Sequence, residues 1–466
     1  MGPKPRSRSA RNVPRRFAAL FGIGAIATSG CAAGSLAGPP GVAPLTAPLA
    51  EAKNLPRIRH IVFIVQENRS FDNFFATFPG ADGATSGLMK TAGGDVTVRL
   101  KKEPLDSDSL GHQHSSFEKE YDGGRMDGFN LVKRVPQKGI VERAGTYPYR
   151  YVDPKEIQPY WTIARQWVLA DHMFPTQSSS SFTAHQDLIA GGTPVGGGKN
   201  VIDFPTPASW GCDAPLATVT SLITSTGKYL RAQGPYPCFA YRTLRDLMDA
   251  KDVSWLYFTN GSTGSVWNAF DAIKAVREGP EWAVHMVRPE SKIFQYVTSG
   301  ELPQVSWVIP DAANSDHPGD HRETGPSWVA SVINAIGQSS YWPSTAIVVV
   351  WDDWGGEYDQ VPPPQLDGQG LGMRVPMLLV SPYDRLTSPS QPGYISHRQY
   401  EFGSLVRFVE DNWKLGRLGT TDTRAASILD CFDFKQHPRP FTTIPSKYRK
   451  AFFERQKPSG LPVDTD

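Results

Sequence analysis

Cysteine is scarce in this sequence, net charge is almost absent, and no apolar run is long enough to cross a membrane. Four cysteines occur among 466 residues, and none is spaced as a Cys-x-x-Cys pair, so a structural zinc knot is not indicated. The 48 basic and 46 acidic residues leave a net charge of +2, which indicates neither a nucleic-acid partner nor a strongly acidic one. The hydrophobic content of 39% instead supports a large buried core.

The N-terminal residues 1–33 have the pattern of a signal peptide. The apolar stretch at residues 17–30 follows a basic segment and, at 14 residues, is too short to span a bilayer. The residues at the end of this stretch are compatible with two kinds of processing. One is lipoprotein processing, in which Cys31 would be lipidated, and the other is ordinary signal-peptide cleavage near Ala32. Both predict an exported protein, either secreted, periplasmic or associated with a membrane through a lipid anchor at the cell envelope.

Three further segments are predicted after the signal peptide. Residues 34–54 are rich in Pro, Gly and Ala and are expected to form a flexible linker. Residues 55–440 are expected to form one catalytic domain, since large α/β enzymes often remain undivided. Residues 441–466 are expected to form a C-terminal tail.

Export also permits disulfide bonds. Once Cys31 is set aside, Cys212 and Cys238 bracket a loop-rich segment and form the natural pair, which leaves Cys431 as a single thiol. We therefore expect a disulfide between Cys212 and Cys238.

The segment at residues 58–72 predicts a buried strand followed by functional groups. Residues 61–65 form a short apolar, mostly β-branched run, which is typical of a strand covered on both faces of a parallel sheet. Glu67 and Asn68 follow it at the carboxyl edge, where functional groups collect in such sheets, and Ser70 is a candidate helix N-cap. The alternative is that Glu67 is a solvated loop acid and Asn68 a capping residue.

A second segment repeats this design. The apolar run at residues 346–351 predicts another buried strand, and Asp352 and Asp353 follow it. Adjacent carboxylates repel each other unless a cation or solvent screens them. If the two strands are neighbours, the aspartate pair converges with Glu67 and Asn68 on one hard divalent ion. Oxygen ligands favour Mg²⁺, Ca²⁺ or Mn²⁺, and Zn²⁺ is also compatible.

These segments carry a resemblance to a known family. The blocks "HIVFIVQENRSFDNFF", "GGRMDGFN" and "WDDWGGEYDQVPPP" resemble signatures of the phosphoesterase family that contains bacterial phospholipases C and AcpA-type acid phosphatases. The resemblance extends from about Arg57 to about Trp413. It implies an alkaline-phosphatase-like α/β fold with a mostly parallel central sheet and helices on both faces. It also implies one divalent metal ion and a covalent phosphoenzyme.

The resemblance places the nucleophile in a run of four serines, a composition that alone is typical of a flexible loop. Aligning "SFTAHQ" with the corresponding text of the family puts a serine nucleophile at Ser181, at the start of a helix. A helix N-terminus there would offer backbone N–H groups and positive partial charge to a phosphate.

Two histidine roles are also implied by the resemblance. A histidine before "MDGF" belongs to the phosphate site in the family, and the spacing favours His112, with His114 as the neighbouring alternative. The family's "DHPP"-like text matches this sequence at His317, which implies that His317 acts on the leaving group, and His321 is its local competitor. Gln360 stands where the family more often has histidine.

Hydrophobic patterns predict further elements of the domain. Apolar residues at helical spacing predict helices over residues 160–174, 266–276 and 400–413. Short apolar runs predict strands over residues 254–258, 305–309 and 375–381.

Together these features predict an exported, metal-dependent phosphoesterase that acts through a phosphoserine. A serine hydroxyl needs activation to be a good nucleophile, and a bound metal ion would supply it. The substrate is expected to be a phospholipid, split as by a phospholipase C, or a phosphomonoester, split as by an acid phosphatase. The alternative from another class is an exported lipoprotein that binds phosphate esters or lipids without turnover.

Overall fold

A β-sheet flanked by helices forms the centre of the protein in a computed structural model. The structure describes residues 57–136, 139–203, 210–260, 265–319, 323–388 and 390–459. The predicted signal peptide with Cys31, the linker and His321 lie outside the described residues.

The central sheet has nine strands within the described residues. Numbered in chain order, they are β1 (His60–Gln66), β2 (Val168–Phe174), β3 (Trp255–Phe258), β4 (Met286–Val287), β5 (Val305–Val308), β6 (Thr345–Trp351), β7 (Val375–Val380), β8 (Tyr394–Ser396) and β9 (Tyr400–Glu401). Their order is β4-β3-β5-β1-β6-β7-β2-β8, and β9 pairs with β2. Strand β7 is antiparallel to β6 and β2, and the other pairings are parallel.

Helices and short strands complete the domain. The α-helices are α1 (Phe71–Phe75), α2 (His114–Tyr121), α3 (Gln158–Gln166), α4 (Ser181–Ala190), α5 (Leu244–Asp249), α6 (Lys274–Arg277), α7 (Glu281–His285), α8 (Ile293–Ser299), α9 (Gly325–Gly337), α10 (Phe402–Trp413) and α11 (Lys450–Phe453). Small peripheral sheets contain Ser86–Met89, Val96–Arg99, Lys101–Glu103, Ser109–Leu110, Lys133–Val135, Glu142–Arg143, Arg150–Val152, Lys199–Ile202, Ser221–Thr224 and Tyr229–Leu230. The mostly parallel sheet with packed helices confirms the predicted α/β fold class.

The strands at the centre of the sheet are buried. Residues 61–66 of β1 and all of β6 are buried, which agrees with their apolar, β-branched sequences. The strands predicted near residues 254–258, 305–309 and 375–381 are present as β3, β5 and β7, and α10 matches the helix predicted at its position. Ser70 caps α1, and its Oγ accepts the backbone N–H of Asn73 over 3.0 Å.

The prediction of a helix over residues 160–174 is wrong for the second half of this range. Helix α3 ends at Gln166, Trp167 has extended backbone angles, and β2 begins at Val168. Because β2 lies inside the sheet between β7 and β8, most of its residues are apolar, and so short a run also satisfies helical spacing.

The helix predicted over residues 266–276 is also mostly absent. A 3₁₀ turn at Ala269–Ala272 precedes the short helix α6. Ile273 is extended between them, since it forms a β-bridge with Phe239.

Residues 441–459, the described part of the segment expected to form a C-terminal tail, pack onto the domain. Ile444 and Phe453 are buried, and α11 packs against α9. Asn334 of α9 donates its side-chain amide to the Ile444 carbonyl over 2.9 Å. Ile444 and Phe453 therefore belong to the core.

A disulfide joins Cys212 to Cys238, and Cys431 is a buried thiol. In the part of the chain that the structure describes, no helix combines the length and the apolar character needed to cross a membrane.

Candidate active site

The ends of β1 and β6 meet at one edge of the sheet. The two strands are parallel neighbours, and Gln66 pairs with Trp351 in their register. Glu67 and Asp352 therefore follow adjacent strand ends, where such sheets collect functional groups. Asn68 donates its backbone N–H to Asp352 Oδ1 over 2.9 Å, which ties the two segments together.

A glycine in the second segment permits this close approach. Asn68 has a φ of 60°, a left-handed conformation that asparagine adopts more readily than most residues. Gly355 lies against it, and a Cβ there would be 2.4 Å from the Asn68 carbonyl oxygen. Gly355 also donates its N–H to Asp353 Oδ1 over 2.7 Å, which orients that carboxylate. The sequence "DDWGG" thus shapes the loop that carries the aspartates.

Helix α4 brings two side chains to the same place. Ser181 is its first residue, and His185 follows one turn later on the same face. Ser181 Oγ donates to Asp353 Oδ2 over 3.2 Å and lies 3.4 Å from Asn68 Oδ1. His185 Nε2 lies 3.1 Å from Glu67 Oε1. The helix start and both strand ends therefore meet.

The four-serine run is ordered and buried rather than an exposed loop. Ser178 Oγ donates to the Gln369 carbonyl over 2.6 Å, and Ser179 Oγ accepts the backbone N–H of Asp203 over 2.7 Å. Neither contact involves the carboxylates at the strand ends. Ser181 is the member of the run whose hydroxyl faces the acidic pair.

The structure separates the two candidate histidines near residue 112. His112 Nδ1 lies 2.7 Å from the Leu110 carbonyl, so this nitrogen carries the hydrogen, and Nε2 accepts from Asn68 Nδ2 over 3.0 Å. His112 Nε2 is also 4.0 Å from Asp353 Oδ2. His114 instead places Nδ1 2.8 Å from the Ser178 carbonyl. The geometry therefore favours His112 over His114 as the site histidine.

His317 follows β5 in the segment after a short 3₁₀ turn. It is buried, its Nδ1 lies 2.6 Å from the Pro318 carbonyl, and its ring is 5.9 Å from that of Trp267. Its role toward the leaving group stays a prediction, and His321 lies outside the described residues.

The residues at the strand ends form a buried, acidic cluster. Glu67, Asp352 and Asp353 are fully shielded from solvent, and His185 is only 1% exposed. Burial lowers the pKa of His185 to about 4, although the nearby Asp352 carboxylate opposes this shift. His185 is therefore neutral at neutral pH, and its imidazole retains a lone pair that can bind a metal ion.

The donor set fits a cation. Glu67, His185 and Asp352 each offer an atom, and these atoms lie within 4.8 Å of one another. Asp352 Oδ2 is buried and, among the described residues, has no hydrogen-bond partner. Buried carboxylates repel each other unless positive charge is placed between them. Asn68, Asp353 and Ser181 add oxygen atoms next to this group.

Gln360, the departure from the family pattern, contacts a neighbouring loop. Its Nε2 donates to Asp82 Oδ1 over 3.0 Å, and its backbone N–H donates to Asp72 Oδ2 over 2.9 Å. These contacts tie α1 and the loop after it to the segment that follows β6.

His185 was missed by the sequence-based search for ligands, although a signal was present. It stands four residues after Ser181 in "SFTAH", and residues four apart share one face of a helix. Once Ser181 is placed at a helix start, His185 is directed into the same site.

We expect the variant His185→Ala to bind its metal ion roughly 10- to 100-fold more weakly, the range for groups that support or orient metal ligands. Titration of metal-free protein with Mn²⁺, followed by calorimetry, measures the change. The matched control is His60→Ala, which removes a partly buried histidine at the opposite end of β1, where its Nδ1 lies 2.9 Å from the Pro303 carbonyl. Equal Mn²⁺ affinity in the two variants would contradict a role for His185 at the cation site.

Curated proteins similar to this chain include several phospholipases C. Phospholipase C A of Mycobacterium tuberculosis is 24% identical over 399 residues, covering 71% of this chain and 69% of that protein. Phospholipase C B of the same organism is 24% identical over 497 residues, covering 90% and 86% respectively. Non-specific phospholipase C3 of Arabidopsis thaliana is 24% identical over 432 residues, covering 82% and 74%.

A crystal structure of a protein in the alkaline phosphatase superfamily from Vibrio parahaemolyticus is also similar. The match covers 81% of this chain and 72% of that one, with 10% sequence identity and a TM-score of 0.34. A score this low carries no conclusion about function.

The family assignment rests on a match along most of the folded domain. The model of the phosphoesterase family matches residues 58–416, a range that contains β1, the serine run, β6 and every residue of the cluster described above. Since this range is more than half of the sequence, the chain belongs to the phosphoesterase family.

Proposed function

We propose that this hydrolase of phosphoric ester bonds is an exported, metal-dependent phosphoesterase that acts through a phosphoserine at Ser181. The observation that carries the proposal is the position of the Ser181 hydroxyl. It donates to Asp353 Oδ2 over 3.2 Å, lies 3.4 Å from Asn68 Oδ1, and begins a helix at the edge of the sheet.

Four oxygen-bearing residues would hold the divalent ion: Glu67, Asn68, Asp352 and Asp353. Their carboxylate and amide oxygens favour Mg²⁺, Ca²⁺ or Mn²⁺, and the imidazole of His185 makes Mn²⁺ and Zn²⁺ better matched than an all-oxygen site would. When bound, such an ion lowers the pKa of a neighbouring hydroxyl and neutralises charge on the phosphate.

The residues of the chain provide the remaining chemistry. Ser181 Oγ attacks phosphorus, and its proton passes along the hydrogen bond to Asp353 Oδ2. The bond from phosphorus to the leaving alcohol breaks, and His317 donates the proton that this oxygen needs. Water then cleaves the phosphoserine and releases the phosphate product.

Two features of the site would stabilise the phosphoryl group. The N-terminal turn of α4 directs backbone N–H groups and positive partial charge toward the position of Ser181. His112 lies beside Asn68 and would hydrogen-bond a phosphoryl oxygen.

The names of the similar proteins favour a phospholipid substrate. The relatives described above are phospholipases C, so we propose cleavage of a phospholipid to diacylglycerol and a phosphorylated headgroup. Export through the N-terminal signal, with or without lipid attachment at Cys31, would bring the enzyme to membrane lipids. A phosphomonoester substrate, as for an acid phosphatase, is the competing choice at the same site.

A metal-restoration assay tests this function. We expect purified protein to release phosphocholine from phosphatidylcholine in detergent micelles faster than it releases phosphate from p-nitrophenyl phosphate. EDTA should abolish the activity, because the acidic cluster needs its cation, and adding back Mg²⁺, Ca²⁺, Mn²⁺ or Zn²⁺ separately identifies the ion. Faster cleavage of the monoester would favour the phosphatase, and cleavage of neither substrate with any ion would favour a non-catalytic binding protein.

A further inference from the structure

A second group of potential metal ligands lies on β2, apart from the site at Ser181. Asp171 and His172 belong to this strand, and His397 follows the end of β8. Asp171 Oδ1 is 2.8 Å from His172 Nδ1, and Asp171 Oδ2 is 2.7 Å from His397 Nδ1. One ligand atom from each of the three residues lies within 4.8 Å of the others.

An irregularity in the sheet brings the first two side chains together. Consecutive residues of a regular strand point to opposite faces. Here the register between β2 and β7 shifts, so that Asp171 and His172 together oppose the single residue Pro376. Such a bulge re-aims side chains, and proline cannot donate to the ladder at that point. The bulge therefore lets adjacent residues act on the same side.

The opposite edge of β2 is interrupted at the same level. β8 pairs with β2 up to Ser396, and β9 resumes pairing at Tyr400. Residues 397–399 leave the ladder between these points and begin with His397. The three candidate ligands thus meet where the sheet opens on both sides of β2.

A second carboxylate, Asp82, approaches from the loop after α1 as a fourth candidate ligand. His172 Nε2 is 3.3 Å from Asp82 Oδ2, and the Asp82 backbone N–H donates to Asp171 Oδ2 over 2.9 Å. The side chain of Asp171 is fully buried, that of His172 is 23% exposed and that of His397 is 59% exposed. A buried charged ligand beneath accessible imidazoles gives an ion a route from solvent.

We propose that Asp171, His172 and His397 form a second metal site that takes Zn²⁺, with an open position for water or Asp82. Two imidazoles and one carboxylate form a donor set that suits a borderline ion rather than Mg²⁺ or Ca²⁺. The carboxylate–imidazole distances are hydrogen-bond lengths, and an ion would open them by roughly half an ångström to reach normal zinc–ligand distances. Rotation of the exposed His397 side chain would open one of these distances, and rotation of the His172 side chain, which is 23% exposed, would open the other.

This site is distinct from the catalytic cluster. In the sheet β7 lies between β6 and β2, so the site is two strand spacings, roughly 10 Å, from β6, the strand that Asp352 follows. An ion there would join residues 397–399 and the Asp82 loop to β2. Since β2 leads directly into the serine run, the zinc would hold the base of the segment that positions Ser181.

Zinc stoichiometry tests the proposal on the full-length protein. The wild type is loaded with ZnCl₂, freed of excess by gel filtration and analysed by mass spectrometry for metal per chain. We expect His172→Ala and His397→Ala each to retain one equivalent less than the wild type. We also expect His437→Ala, which removes an exposed histidine elsewhere, to retain the full amount.

A further pair of variants distinguishes the zinc of this site from the ion of the catalytic cluster. Asp353→Asn is expected to keep the zinc that depends on His172 and His397, and the double variant Asp353→Asn/His397→Ala is expected to lose it. Equal zinc content in the wild type, His172→Ala and His397→Ala would overturn the proposal and leave a hydrogen-bonded cluster only. If His172→Ala fails to fold, His397→Gln provides the test, because His397 is exposed and its replacement should preserve the fold. Retention of the full zinc content by His397→Gln would also overturn the proposal.

Discussion

Replacing Ser181 by alanine is expected to lower the rate of phosphate-ester hydrolysis by roughly four to six orders of magnitude, the scale on which loss of a covalent nucleophile acts. The alanine removes the oxygen that lies between Asp353 and Asn68 and leaves the start of α4 otherwise unchanged. Steady-state kinetics on phosphatidylcholine micelles measure this loss. KM should change far less than kcat, because substrate still meets the N-terminus of α4 and the rest of the site.

Ser180→Ala is the matched control for this variant. Ser180 is buried in the same run, and its Oγ has no hydrogen-bond partner among the described residues, so its removal should change the rate little. Rapid quenching of the wild type with substrate, followed by peptide mapping, should find a phosphoryl group on Ser181: phosphocholine when the substrate is phosphatidylcholine, and phosphate when it is a phosphomonoester. A phosphoryl group on Ser180 would shift the assignment by one residue and keep the mechanism. An active Ser181→Ala variant without any phosphopeptide would mean that water attacks the substrate directly.

Much of this site was predictable because an apolar run followed by polar residues marks the end of a buried strand. The apolar runs before Glu67 and before Asp352 predict buried strands, and both strands are present as β1 and β6. The sequence does not show whether the two strands are neighbours in the sheet, since residue 66 and residue 351 are far apart in the chain. The parallel register between Gln66 and Trp351 shows that they are.

The errors arose where local pattern and tertiary context disagree. Residues 168–174 have apolar spacing compatible with a helix, yet they form β2 because the strand is enclosed by β7 and β8. The bulge that aligns Asp171 with His172 depends on pairing with Pro376, a residue two hundred positions later in the chain. Contacts between distant segments of this kind have no local sequence pattern, and the histidines near them gave no functional signal.

The choice between His112 and His114 shows the same limit. Both histidines stand in one polar loop, and spacing alone leaves either available. In the structure His112 contacts Asn68, whereas His114, the first residue of α2, contacts the Ser178 carbonyl. The contacts of the two side chains distinguish His112 from His114, which their spacing in the sequence does not.

Asp353→Asn and Glu67→Gln are each expected to lower turnover at least about a thousandfold, because each removes a negative charge from the cation site and several kcal/mol of charge stabilisation corresponds to that factor. Asp353 Oδ1 accepts from Gly355 and Oδ2 accepts from Ser181. An asparagine that keeps the bond to Gly355 presents its amide N–H₂ to Ser181, and this group cannot accept the serine proton. Kinetics and bound metal per chain, measured on the same samples, check both variants.

Stability measurements separate loss of the ion from loss of the fold. Three carboxylates buried together repel each other, so removing one charge should leave the Tm of the metal-free protein unchanged or raise it. The rise in Tm that metal gives the wild type should shrink in both variants, since the ion stabilises only a folded state that binds it. Asp187→Asn is the matched control, because it also replaces a buried carboxyl by an amide, and the asparagine oxygen can still accept the hydrogen bond from Gln177. Burial raises the pKa of the Asp187 carboxyl well above its usual range. This variant should keep both activity and the metal-dependent rise in Tm. If Asp353→Asn and Glu67→Gln instead kept wild-type turnover and metal content, the acidic cluster at the ends of β1 and β6 would not be the cation site.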